Sequence, residues 1–389
     1  MTLLMRDGCK FNALAIACCA ALAVRSLFAY VEYKYSDGVY DDGVTVRYTV
    51  KSGTSVTLNK LILSNAFDAA DFPWTFTHNG NEYTITEIAK EACKGLPLLT
   101  GTLSMPGGCK AIGGEYAFQG AGITRLILGE GVETIGNGAF KSCNSLSGSI
   151  VVPASATSVG SSMFEFAPGV RNLCVKGRET VASGEQTYTS LRPNSVLRVT
   201  SGGNYKTVLL GRNVMRAEGS TGTMFEKTAD DVTVFARKDL GWGDGYSFGG
   251  TKVTVVLYGP GEELDLDIKG DTLTATPTTA NALSNVVNNA SAFKSAFGLD
   301  TVINITNSFP SAIGGNLFDL EGWGRFSVTT QEQLDRTLSA IPSDCLVVID
   351  PTGATENLVV PAGRRLLVEL GGGDAVKVKA GNGFYVIVQ

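Results

Sequence analysis

Hydrolytic catalysis through a Ser-His-Asp or Cys-His arrangement needs an imidazole, and this chain of 389 residues holds one, His78. It lies in Thr77-His78-Asn79-Gly80, a turn sequence, where a solvated histidine is the plain expectation. A zinc site needs clustered cysteine and histidine, and past residue 29 the chain has no Cys-x-x-Cys pair. Asp41-Asp42-Gly43 brings two carboxylates to a turn, and Asp265, Asp267 and Asp271 surround Gly270. Calcium takes six or more oxygens. The first group reads as a hairpin tip, while the second has Lys269 among its ligands and no closing glutamate. No Gly-x-x-x-x-Gly-Lys-Ser/Thr run exists for phosphate, and Gly113-Gly114 and Gly371-Gly372-Gly373 read as turns. Paired carboxylates for glycoside hydrolysis could stand far apart in sequence, but nothing local supports them. No catalytic residue, cofactor or metal is expected, and the chain is not read as an enzyme.

The elements that would position any site are set by a repeat. Between residues 85 and 178 one pattern occurs four times, anchored on Ile88 with Ala92-Cys93, Ile112 with Ala117-Phe118, Ile135-Gly136 with Ala139-Phe140, and Val159 with Met163-Phe164. The first aliphatic residues are 24, 23 and 24 positions apart. A period in the low twenties predicts stacked coils, because one such unit cannot bury its own apolar face. After Ala92-Cys93 come Leu96, Leu99, Leu103, Met105 and Pro106; after Ala139-Phe140 come Cys143, Leu146, Ile150, Val152 and Pro153. Leu-x-Met-Pro and Ile-x-Val-Pro predict short strands with alternate residues inward, stopped by proline. The Ile-Gly step suits a tight turn, where glycine can take a positive φ at little cost, and the Ala-Phe pair suits a helical return. Stacking then places Cys93, Phe118, Phe140 and Phe164 in one column, the expected spine of the core.

These residues resemble the short bacterial leucine-rich repeats of the BspA-like surface proteins, whose unit reads Ile-Gly-x-x-Ala-Phe-x-x-Cys-x-x-Leu before a strand ending near proline. The unit Ile135-Gly136, Ala139-Phe140, Cys143, Leu146, Pro153 matches at nearly every position. Cys93 stands for the phenylalanine, Ala121 for the cysteine and Met163 for the alanine, and the Ile112 unit has one extra residue. The resemblance implies a mainly β solenoid with short helical returns, and adhesion or contact at a cell exterior.

The expected organisation follows in order. Residues 1–29 read as a signal peptide: Arg6 and Lys10 precede an apolar run too short for a comfortable span, with cleavage after Ala23 or Ala29. No other stretch is apolar and long enough to cross a bilayer. Residues 30–84 read as a β-rich cap, 85–178 as regular repeats, and 179–259 as degenerate repeats ending in a terminal coil with Trp242 as lid. Leu128-Gly129 recurs as Leu210-Gly211, and Met163-Phe164-Glu165 as Met224-Phe225-Glu226; residues 179–207 are either a coil or an insertion. Residues 260–325 read as a linker with an amphipathic helix from Ala280 to Phe297, its stripe (Leu283, Val286, Val287, Ala290, Phe293, Phe297) either core or a spacer across the array. Residues 326–389 read as a separate small α/β or β-rich module, a sandwich or the first rungs of another solenoid, with a helix opening at Thr330. The last strand is apolar, which fits a packed terminus or a truncated coding sequence.

Of eight cysteines, Cys93, Cys109, Cys143, Cys174 and Cys345 lie beyond the signal, an odd number that predicts buried free thiols rather than a disulfide framework. A formal net charge of −5 argues against nucleic acid as partner. Two functions remain: an exported, secreted or surface-held array that binds a protein or glycan, and an exported carbohydrate-active enzyme with a β-helical tail. For the first, the contact residues expected on the strand face are Thr102, Thr124, Arg125 and Ser149.

Overall fold

A computed structural model describes residues 3–4, 10–11, 31–34, 43–178, 188–192, 205–218, 231–243, 246–249, 252–304, 325–340, 346–351, 353–362, 364–368, 378–380 and 386–388. The signal peptide, apart from a backbone pairing of Leu3–Leu4 with Lys10–Phe11, lies outside them, as do Cys345 and Met224-Phe225-Glu226.

Three antiparallel strands, Val31–Lys34, Val44–Ser52 and Ser55–Leu63, lead in. Pairing then turns parallel: Ser55–Leu63 runs beside Asn81–Ile88, and a ladder of short strands follows through Ala111–Ile112, Thr134–Ile135, Ser158–Val159, Thr189–Leu191 and Val214–Arg216. Ile88, Ile112, Ile135 and Val159 occupy equivalent places in that ladder. Longer strands line the other side: Leu99–Met105, Ile123–Leu128, Ser147–Val152, Gly169–Val175, Thr207–Leu210, Val232–Arg237 and Val253–Tyr258. Parallel pairing already joins Phe67–Asp68 to Leu99 and Thr100, so the stack reaches back before residue 85. Thr189–Leu191 pairs on both sides, so this part of the stretch between 179 and 207 is a rung.

The helical returns hold rung to rung through backbone bonds. Phe118 N donates to Ala139 O at 2.7 Å, and Phe140 N donates to Met163 O at 3.0 Å. The residue before each Ala or Met of the return takes a left-handed φ: Glu91 at 55°, Tyr116 at 61°, Gly138 at 58° and Ser162 at 55°. Only Gly138 does so without the Cβ penalty. Phe118 stacks on Phe140 at 5.4 Å between centroids, and Phe140 on Phe164 at 5.8 Å. Where Cys93 replaces the aromatic, Phe72 from the lead-in fills the space, 6.1 Å from Phe118.

All of the expected spine and anchor residues except two are buried: Ile88, Ala92, Cys93, Ile112, Ala117, Phe118, Ile135, Ala139, Phe140, Cys143, Leu146, Val159 and Phe164. Leu96 departs from that expectation. It is half-buried and packs against the core from its edge. Gly136 is half-buried with no side chain to bury, and a Cβ on it would lie 1.6 Å from Gly114 O, so rung backbones touch at this corner. His78 also departs from expectation: its Nδ1 shares a 2.6 Å hydrogen bond with the hydroxyl of buried Tyr48. At the far end Trp242 is buried, stacks on Phe248 at 5.8 Å and donates its indole N–H to Val214 O at 2.8 Å.

Residues 260–304 are not a linker. Leu264–Lys269 and Thr272–Pro277 form a hairpin that continues as a parallel ladder through Asp300–Asn304, Arg325–Ser327, Leu346–Asp350, Arg365–Val368 and Val386–Val388. A second parallel pair, Leu358–Val360 with Val378–Ala380, stands beside it, so the tail is built of rungs rather than as a sandwich. The helix Ala280–Ser291 is capped by Thr279, which accepts from Ala282 N, and Gln331–Ala340 is capped reciprocally by Thr330 and Gln333. Leu264, Leu273, Leu283, Phe293, Phe326 and Leu334 share one core, and that core also takes in Cys174, Leu209 and Phe235 from the array. The tail is therefore not separate: its core is completed by the outside of the solenoid.

Candidate binding face

Along each long strand alternate residues point in or out. Pairing aligns the outward ones in columns. One runs from Thr102 to Arg125 and, at the equivalent place in later rungs, through Ser149, Asn172, Thr207, Thr233 and Thr254. The next runs from Ser104 to Ile127 and then through Val151, Cys174, Leu209, Phe235 and Val256.

The four residues expected on this face all lie on it. Thr124 and Arg125 are exposed, whereas Thr102 and Ser149 are half-buried. Thr102 sits directly beside Arg125. Ser149 belongs to the following ladder, where its hydroxyl accepts from Asn172 Nδ2 at 3.0 Å. Thr124 donates to Gly101 O at 3.1 Å, so part of its hydrogen-bonding capacity is used within the sheet. The Arg125 side chain finds no hydrogen-bond or ion-pair partner among the described residues. By contrast Lys90, Lys110 and Lys141, away from the long strands, pair with Glu115, Glu133 and Glu165 of the next rung.

The second column changes character along its length. Ile127 is 42% exposed, Val151 is half-buried, and Cys174, Leu209, Phe235 and Val256 are buried. Their cover is the helix Ala280–Ser291 and the wider turn Ala292–Ala296 that follows. Phe293 meets Phe235 edge-on at 5.3 Å, Thr207 Oγ1 donates to Asn289 Oδ1 at 3.2 Å, and the turn packs against Ser147–Val152. Lys176 fastens the border, 3.0 Å from Asp271 and 3.6 Å from Glu130; burial lowers its pKa, but those two carboxylates outweigh it and leave the ammonium favoured. Burial pushes the Cys174 thiol up to about 12, as it does those of Cys109 and Cys143, so none is a ready nucleophile or metal ligand. The sequence reading did not name Ile127 or the covered column. Their alternation was legible, but nothing in a strand's own pattern says which outward residue another segment will meet.

On the opposite side, the stacked Ile-Gly corners enclose an open groove of about 350 Å³ lined by Gly113, Gly136, Gly160, Asn137 and Arg192. Asn137 Oδ1 is already used by Ser161, and the glycines are there because rung backbones touch. No group of three or more metal-ligating side chains stands together among the described residues.

Two parallel ladders joined by short helical returns, stacked on an aromatic column, define a leucine-rich-repeat solenoid. Residues 62–184 match the model of the BspA type leucine rich repeat region in six copies, less than half of the chain. That stretch is a BspA-type repeat region, two units longer than the four legible between 85 and 178. No curated protein matches the chain. A leucine rich cell surface protein from Faecalibacterium prausnitzii is similar in structure at 12% identity, covering 86% of this chain and 84% of that one with a TM-score of 0.33. The pneumococcal vaccine antigen PcpA is similar at 13% identity over 89% of each chain, with a TM-score of 0.36. A leucine-rich repeat protein from Bacteroides ovatus is similar at 12% identity over 80% of this chain and 100% of that one, with a TM-score of 0.21. At such scores the architecture rests on the ladders themselves. No helix among the described residues is long and apolar enough to cross a membrane.

Proposed function

We propose that this is an exported leucine-rich-repeat protein, secreted or held at the cell surface, that binds a protein or glycan partner, in adhesion or a related contact. The reading assigns recognition to the long-strand face of the early rungs and no catalytic role to the chain. The observation that carries it is the open face itself: Thr124, Arg125 and Ile127 stand exposed on a rigid sheet, and Arg125 has no partner among the described residues. An unpaired guanidinium held on a fixed backbone is suited to meet an anionic group without first breaking an internal pair. The test exposes the purified protein to an array of host matrix proteins and glycans. Binding that survives deletion of the tail ladder beyond Asn304 and is lost in Arg125→Glu locates the activity on this face. Binding indifferent to Arg125, Thr102 and Thr124 sinks the reading.

The enzyme reading retains one supporting observation, the parallel ladder of the tail. Four acids there are engaged: Asp300 with Lys294, Glu332 with Arg336, Asp335 with Gln331 Nε2 and Glu356 with Gln331 N. Release of reducing sugar from any polysaccharide by the purified chain would promote it over recognition.

A further inference from the structure

Resting on the reading that the early rungs are a recognition face, we infer that the partner is a protein, and that it lays an amphipathic helix carrying a carboxylate across the long strands at Arg125 and Ile127. The later rungs show what this surface accepts. There the same outward columns receive the helix Ala280–Ser291 and its following turn, with an aromatic contact from Phe293 to Phe235 and a polar contact from Asn289 to Thr207. That interface ends at half-buried Val151, and the apolar column runs one rung beyond it to Ile127, which is 42% exposed. A second helix laid against the first would therefore extend an existing interface rather than start a new one.

Charge names what the helix must bring. The strands Leu99–Met105, Ile123–Leu128, Ser147–Val152 and Gly169–Val175 hold two arginines, Arg125 and Arg171, and no carboxylate or lysine. Arg125 is the one without a partner among the described residues. A glutamate or aspartate one helical turn from an apolar side chain would meet Arg125 while that side chain covers Ile127, since residues three or four apart share a helix face. The same strands hold no aromatic residue, so the apolar face of a sugar ring has no flat surface to lie on. That favours a helix over a glycan.

The test uses the full chain and two synthetic helical peptides of about five turns. Both carry the same leucine stripe, flanked in one by glutamates and in the other by lysines, and polygalacturonate serves as an acidic glycan. Fluorescence anisotropy should show the glutamate peptide binding at least about tenfold tighter than its lysine twin, the scale of one charge-assisted contact. Arg125→Glu should reverse the order, and Ile127→Asp should weaken both peptides. Both sites are exposed, and an unchanged thermal transition confirms that each variant folds. Equal binding of the twins, or a preference that survives Arg125→Glu, overturns the proposal. Arg125-dependent binding of polygalacturonate with neither peptide bound overturns the helix and leaves the recognition face standing. If every probe fails while a protein or glycan of the matrix array still binds through Arg125, the helix again falls alone; if that array also fails, both fall.

Discussion

From Leu99 to Leu128 the outward side of the long strands is open and largely polar; from Cys174 to Val256 its apolar column is closed by the tail, with half-buried Val151 at the border. The inward sides of the two regions are alike. Leu103 and Leu126 in the first, and Leu173, Val208 and Val234 in the second, are all buried in one continuous core. What differs is the outward column, which carries Ser104 and Ile127 at one end and Leu209 and Phe235 at the other. The comparison teaches that a repeat fixes its interior but leaves its exterior free to diverge. One stretch of an identical scaffold has become a core, and its neighbour has stayed available.

Truncating the two ends of that column should break the comparison most visibly. Phe235→Ala removes a fully buried ring from the joint core and should cost about 3–5 kcal/mol, while Ile127→Ala, at an exposed place, should stay within about 0.5 kcal/mol. Urea denaturation measures both, and equal costs would mean that the tail does not cover the array.

The thiols sharpen it next. Cys143 faces inward and Cys174 outward, yet both are buried and both are raised from 9.0 to about 12. The folded chain keeps these protons where the unfolded chain releases them, so stability should fall as pH rises from 9.0 towards 12, and the urea midpoint should fall with it. Below 9.0 these groups should contribute no pH dependence. In the native state Cys174 should react with iodoacetamide as slowly as Cys143, and Phe293→Ala should speed Cys174 alone. Fast labelling of Cys174 in the unaltered chain would contradict the cover.

A smaller effect belongs to the polar seam. Asn289→Ala removes the acceptor for buried Thr207 and should cost about 1 kcal/mol, with no effect on binding at Arg125. Smallest, and opposite in sign, Ser142→Gly should stabilise by about 0.5–1 kcal/mol, because Ser142 holds a left-handed φ of 58° at the place where Gly120 and Gly95 serve the neighbouring rungs. Thermal melts resolve that gain, and a loss would show that the serine side chain has a role of its own.

Much of the interior was legible in the sequence, because each rung contact joins residues one period apart. Phe118 meets Phe140, and Ile112 meets Ile135, at equal places in successive units. The Ile-Gly corner was legible as a turn, but not its reason: Gly113, Gly136 and Gly160 do not take a positive φ, and what requires glycine there is close backbone approach, as of Gly136 to Gly114. The place of Phe72 was not legible, because it answers a gap left by Cys93 in a different unit. Nor was the partner of His78, which comes from a strand 30 residues away that belongs to no repeat.

By itself the amino-acid sequence determined the coil, its period, its inward residues and the repeat type, all of which follow from local pattern multiplied by stacking. Only the tertiary structure decided which outward residues are core and which are surface. The contacts that decide it, Thr207 with Asn289 and Lys176 with Asp271, span 82 and 95 residues and recur at no period. An alternating strand states that one face is buried; it carries no mark of what, if anything, will cover the other.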